Sequence, residues 1–242
     1  MGRVTYDEAA AAAFRAARHV PPGGLVNWKE AVGHYLAPRP RMRLLDLGSG
    51  TGAWSVAFTD WYSIEVVAVE PSEAMRARSC YPRMLAGEAT AIPLATDSLD
   101  GAWLSTVIHH LADLPGAAAE LRRVLRRAAP VLIRSAFRGR QDQIGLFRFF
   151  PEAVRVLDTF PSIAEIREAF GAAGFQYVAQ EPVPQVTADS LRVIVDQMSR
   201  DAHTPLRLIS DTEYASGLAR LRAAAEQEPG PVIDTLDLLV LR

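Results

Sequence analysis

The chain has 242 residues, 49% hydrophobic and 22% charged, with a formal net charge of −2. Such a composition can bury one large core and excludes a disordered chain, while the near-neutral balance gives no basic field for nucleic acid or an anionic membrane. A single cysteine, Cys80, excludes an intrachain disulfide and a thiolate metal cluster.

No apolar run reaches the roughly 18 residues of a membrane helix. The first ten residues, MGRVTYDEAA, lack the apolar core of a signal peptide. Tyr6 stands where the myristoylation pattern requires Ser or Thr. The expectation is a cytoplasmic protein, monomer or homodimer, with no nucleic-acid and no membrane partner.

Residues 7–18, DEAAAAAFRAAR, favour a helix, which the Pro21-Pro22-Gly23-Gly24 run ends. A second helix is predicted from Asn27, with Glu30 completing a capping box and Pro38 and Pro40 closing it. The organising stretch comes next: residues 43–55, RLLDLGSGTGAWS. Leu44, Leu45 and Leu47, interrupted by Asp46, make a short buried strand. Gly48, Ser49, Gly50, Thr51 and Gly52 form a turn, and a helix follows to about Asp60. A strand entering a glycine-rich turn and a helix N-terminus is a nucleotide-binding arrangement. Its spacing is neither that of dinucleotide enzymes nor a Walker A loop, and no lysine follows to hold a phosphate. A cofactor without phosphates is therefore favoured.

A second strand over 64–69 ends at Glu70, roughly 20 residues past the glycines, where an acid accepts from both ribose hydroxyls. Pro71 follows, and Ser72 caps a helix that contains Met75. A third strand ends near Leu85, and a fourth runs over 100–105. Its last residue, Ser105, lies at the carboxyl edge where open parallel sheets place ligands.

These motifs, in this order, resemble the class I S-adenosylmethionine (SAM)-dependent methyltransferases over about residues 40–180. The resemblance implies a Rossmann-like α/β fold: a seven-stranded, mostly parallel sheet with helices on both faces and an N-terminal helical lid. It implies SAM as cofactor and S-adenosylhomocysteine as product. Asp46, Gly48, Ser49, Gly50, Glu70, Pro71, Met75 and Ser105 then fall at the cofactor. Glu88 matches the acid that accepts from the adenine amine, and the Ala89 amide meets the neighbouring ring nitrogen. Tyr6 and Arg18 match a lid pattern in which Arg18 pairs with the methionine carboxylate; a solvated helix face explains Arg15 and Arg18 equally well. His109 matches a family histidine and can act as a general base or orient the loop. Tyr6 is the second catalytic candidate. No metal site is expected, because the adjacent His109 and His110 point apart and no carboxylate or thiol lies near them in the sequence.

Further along, a helix is predicted over 113–126 and a strand over 131–137. Arg134 in that strand either pairs with an acid or faces a pocket. Phe147, Phe149 and Phe150 flank Arg148, a cluster suited to an apolar or aromatic acceptor and equally to ordinary packing; Phe147 and Phe150 are the substrate-binding candidates, with Arg134 and His109. A capping box at Ser162 and Glu165 starts a helix ended by Gly174. Strand six covers 175–183. Helices follow over 188–200 and 211–226, the latter boxed by Ser210 and Glu213. The last run, VIDTLDLLVLR, alternates like an edge strand and is expected as an antiparallel strand seven. One domain over 1–242 is expected: lid 1–40, cofactor core 41–137, and a substrate-side insertion with the rest of the sheet over 138–242. The activity implied is methyl transfer to an O, N or C nucleophile of a small molecule, in specialised metabolism. The alternative is a non-methylating reaction on the same fold: cyclisation of SAM with release of methylthioadenosine, or pericyclic ring closure.

Overall fold

The structure is a computed structural model that describes residues 22–242. The first predicted helix, with Tyr6, Arg15 and Arg18, lies outside the described residues.

Helix α1, Val26–Leu36, buries Trp28, Ala31, Val32 and Leu36, a stripe at helical spacing. The expected cap at Asn27 is not formed: Leu25 is the N-cap and makes no side-chain cap bond. The Asn27 amide instead donates to the Pro184 carbonyl at 2.8 Å, so it ties the helix to a distant strand. Strand β1, Arg43–Leu47, leads through the glycine turn into α2, Ala53–Tyr62. Then come β2, Glu65–Val69, α3, Glu73–Ala77, the two-residue β3, Met84–Leu85, and β4, Gly101–Ser105. Ser72 caps α3 as expected, accepting from the Met75 amide.

Helix α4, Leu114–Val124, starts at Asp113, whose carboxylate accepts from the Gly116 amide. Strand β5, Val131–Ser135, is buried throughout. Two short helices follow, α5, Gly145–Phe149, and α6, Val154–Leu157. Helix α7, Ile163–Ala172, carries the expected capping box of Ser162 and Glu165. Strand β6, Tyr177–Ala188, is longer than its apolar run suggested. Helix α8, Leu191–Gln197, begins late because Ser190 caps it, accepting from the Val193 amide. The one-turn α9, Thr204–Arg207, precedes α10, Asp211–Gln227, which has the expected box at Ser210 and Glu213. Strand β7 is Val232–Leu241.

The seven strands lie in the order β3-β2-β1-β4-β5-β7-β6. Strands β1 to β5 are parallel, and β7 runs antiparallel to both its neighbours. One expectation is corrected here: β7 is not an edge. It lies between β5 and β6, and β6, which contains Pro182 and Pro184, is the edge strand. Proline cannot donate to a ladder, so an edge is where a sheet tolerates it.

Side chains alternate across each strand and so feed two cores. Leu45, Leu47, Leu104 and Ile133 pack with α4 and α7 on one face. Leu44, Trp103, Leu132 and Val240 pack with Trp28 and Phe58 on the other. A third cluster, including Phe147, Phe150, Leu206 and Leu221, forms beyond the sheet from α5, α6 and α8 to α10.

Candidate active site

The glycine turn stands at the carboxyl end of β1. Gly48, Gly50 and Gly52 have φ of 68°, 58° and 84°, a region glycine enters without strain. Close approach matters too, and here the neighbours are protein. A Cβ on Gly48 would lie 2.3 Å from Val107 Cγ2, and one on Gly52 would lie 2.7 Å from Tyr81 Cβ. Amides of the turn fasten it to β2: Gly48 and Ser49 both donate to the Val69 carbonyl.

Glu70, 6% exposed, closes the turn from β2. Its Oε2 accepts from the Gly50 amide and its Oε1 from the Ser72 amide, each at 2.9 Å. Burial pushes its carboxyl up, against the pull of those amides, and the Glu88 charge pushes in the same direction. Glu70, after β2, and Glu88, after β3, therefore lie within electrostatic reach of each other beside the glycine turn. Ser49 Oγ is buried there with no hydrogen-bond partner among the described residues. Helix α2 starts at Gly52 without a side-chain cap bond, which leaves its amides for a ligand or solvent. Pro71 is exposed beside Glu70, and Met75 is buried under α3.

Asp46 is closed off from solvent. It is 1% exposed, and Ser55 Oγ donates to it at 2.6 Å. Burial pushes its carboxyl up to about 7 against the Ser55 bond, with Glu70 adding repulsion. Its place is beneath the turn, joining β1 to α2.

Beyond β4 a two-residue loop, Thr106 and Val107, leads into a 3-10 turn, Ile108–His110. Thr106 has φ of 54°, a strained conformation for a β-branched residue. Its amide donates to the Arg134 carbonyl at 2.7 Å and its hydroxyl to the Ser105 carbonyl at 2.8 Å. Val107 packs on Gly48. Thr106 and His109 line a cavity of about 260 Å³ on the other side. One loop therefore forms a wall common to the glycine turn and the cavity.

The cavity brings together all four residues expected to bind an acceptor: His109, Arg134, Phe147 and Phe150. The His109 ring stacks on Phe160, centroids 4.0 Å apart and planes 6° from parallel. Arg148 does not take part. It turns outward, pairs with Glu228 at 2.5 Å and covers Phe149, so among the described residues the guanidinium of this cavity comes from the sheet. Sequence reasoning missed Phe160, Gln185, His203 and Asp234, which also line it. No local pattern marks them, since they come from a loop, two strands and a helix start. Among the described residues, no group of three His, Cys, Asp or Glu side chains could hold a metal ion, and no helix is long and apolar enough to cross a membrane.

Comparison with known proteins agrees with this geometry. Residues 45–133 match the family described as a methyltransferase domain. A ubiquinone/menaquinone biosynthesis C-methyltransferase, UbiE, of Dinoroseobacter shibae is 34% identical over 46% of this chain and 49% of its own length. A malonyl-[acyl-carrier protein] O-methyltransferase of Erwinia pyrifoliae is 29% identical over 71% of this chain and 68% of its own. The aligned stretch thus spans only about half the length of the first of these relatives. A solved candidate methyltransferase from an antibiotic biosynthesis pathway of Anabaena variabilis superposes with a TM-score of 0.74 over 94% of this chain and 99% of its own, at 19% identity. Residues 45–133 thus match a methyltransferase domain, in agreement with the class I SAM-dependent resemblance of the sequence.

Proposed function

We propose that this protein transfers the methyl group of SAM to an oxygen, nitrogen or carbon nucleophile of a small apolar molecule. The observation that carries the reading is the wall shared by the two sites: Val107 touches the glycine turn while Thr106 and His109 line the cavity. Donor and acceptor bound against the same loop would be brought next to each other for direct reaction, which removes much of the entropic barrier.

The residues present fit the cofactor. The Glu70 carboxylate accepts from ribose hydroxyls, exchanging or sharing its bonds to the Gly50 and Ser72 amides. Glu88 and the Ala89 amide take the adenine edge, with Pro71 and Met75 beside the ring. Ser49 Oγ gains the partner it lacks. The amides at the start of α2 face the carboxylate end. Bound SAM supplies an electrophilic methyl group on a cationic sulfur. Thr106 and Ser105 fix the loop at the carboxyl edge, and the Phe147, Phe150 and Phe160 side chains exclude water, which favours dispersal of charge in the transition state. His109 borders the acceptor and orients it, or takes its proton. The small-molecule acceptor and a place in specialised metabolism belong to this proposal.

The same fold is found in the [4+2]-cyclase SpnF, at a TM-score of 0.59 and 15% identity. Mass spectrometry of the cofactor products separates the readings. S-adenosylhomocysteine formed with an acceptor supports methyl transfer, whereas methylthioadenosine or unchanged SAM sinks it. In calorimetry, Glu70→Gln should weaken SAM binding about tenfold or more, because charge-assisted hydrogen bonds are lost. Unaltered affinity would remove Glu70 from the site.

A further inference from the structure

Arg134 is a charged residue near the carboxyl end of β5, inside the sheet. It is 4% exposed, and its guanidinium carbon lies 4.9 Å from the Trp28 ring centroid and 5.3 Å from that of Trp54. Nη1 donates to Ser105 Oγ at 3.2 Å and Nη2 to Gln185 Oε1 at 2.7 Å. The same Gln185 oxygen accepts from Trp28 Nε1 at 2.8 Å. Indoles and neutral oxygens therefore fix the direction of a planar fork of donors, on a cavity wall otherwise dominated by Leu146, Phe147, Phe160, Leu191 and Met198.

A buried cation is costly unless its donors are used. In an apolar cavity its attraction for an anion is stronger than in water. Guanidinium also matches an oxyanion better than any other side chain, because its donors lie in one plane. Asp234 is a carboxyl within electrostatic reach of Arg134. It accepts from the Gly145 amide at 2.7 Å, and burial shifts it towards its neutral acid.

We propose that the acceptor is an apolar molecule of one or two rings bearing an anionic oxygen, a carboxylate or an ionised phenol or enol, seated on Arg134. This rests on the reading of the cavity as the acceptor site. When that oxygen is the nucleophile, its lone pair forms the new bond to the methyl carbon as the carbon–sulfur bond breaks, and the released electron pair stays on sulfur. An acceptor that enters ionised brings no proton to be removed. Arg134 is then the residue that selects acceptors by charge.

The test is calorimetry on the full chain saturated with S-adenosylhomocysteine. The probes are 2-naphthoate, 2-naphthol and the neutral isostere 2-naphthamide. The expected result is that naphthoate binds about tenfold or more tightly than the amide. Raising the pH past the ionisation of naphthol should strengthen its binding, which distinguishes a phenolate source from a carboxylate one. Arg134→Gln should abolish the acid-over-amide preference, and Asp234→Asn, a neutral replacement for a carboxyl already shifted towards its neutral acid, should preserve it. Equal affinity of acid and amide in the unaltered protein, or absence of binding by either, overturns the proposal even if Arg134→Gln does not fold. Titration of S-adenosylhomocysteine alone keeps the two readings apart: absence of heat there overturns the cofactor assignment.

Discussion

Two buried acids under one turn, Asp46 and Glu70, set the electrostatics of the cofactor end. Both are pushed up by burial; Glu70 adds repulsion at Asp46, and Glu88 adds it at Glu70. For Asp46 the consequence is a pH dependence of stability. Its folded value, about 7, exceeds the ordinary 3.8, so the folded state binds the proton more tightly. That contribution is fully present below 3.8 and is lost as pH rises through about 7. Asp46→Asn can still accept from Ser55 and does not titrate. Between about pH 5 and about pH 8, the variant should therefore gain roughly 2–3 kcal/mol on the unaltered protein in urea unfolding. A constant difference across that range would show that Asp46 ionises normally. Thr106 is the other residue where position costs energy: about 1–3 kcal/mol is typical of such backbone strain, and the two hydrogen bonds it donates to main-chain carbonyls hold it there.

Among the elements, α10 shows how a small residue admits a large neighbour. Gly217 lies inside this helix, and a Cβ there would approach Phe150 Cδ1 to 2.1 Å. Phe150 is fully buried and stacks on Tyr214 of the same helix. Alanine would gain about 1 kcal/mol in helix propensity, but overpacking a closed core costs about 1–3 kcal/mol. Since Phe150 has no space to withdraw into except the cavity, overpacking should win. Gly217→Ala should lower the melting midpoint and also weaken binding of naphthoate in the cavity. A higher midpoint would mean that α10 packs less closely than described.

At the level of the whole molecule, the sheet is built so that the last strand of the chain is an interior one. Leu238 and Val240 of β7 face one core while Leu239 and Leu241 face the other. Register pairs join β7 to β5 from Val131↔Leu241 to Ser135↔Asp237. Arg140 clamps Asp237 with two bonds of 3.0 Å. Removing residues 232–242 would therefore part β6 from the sheet and open both cores. The expected outcome is loss of the cooperative thermal transition in circular dichroism. A truncated protein that still melts cooperatively, merely at lower temperature, would fit an edge strand and contradict this topology.

The sequence by itself determined the glycine turn, the acids Glu70 and Glu88 placed after successive strands, the capping boxes at Ser162 and Ser210, and the parallel half of the sheet. These are local patterns: each depends on residues a few positions apart, so the chain displays them before it folds. It also held an unused sign of the sheet edge, since Pro182 and Pro184 fit an outer strand and β7 has no proline. Only the tertiary structure decided the rest. Asp46 belongs beneath the turn because its strand alternation aims it at Ser55. Asn27 caps nothing because a strand carbonyl 157 positions away offers its amide a partner. Arg134, not Arg148, brings a guanidinium to the cavity because burial, which sorts side chains by their contacts across the fold, turns one inward and leaves the other to pair with Glu228 in solvent.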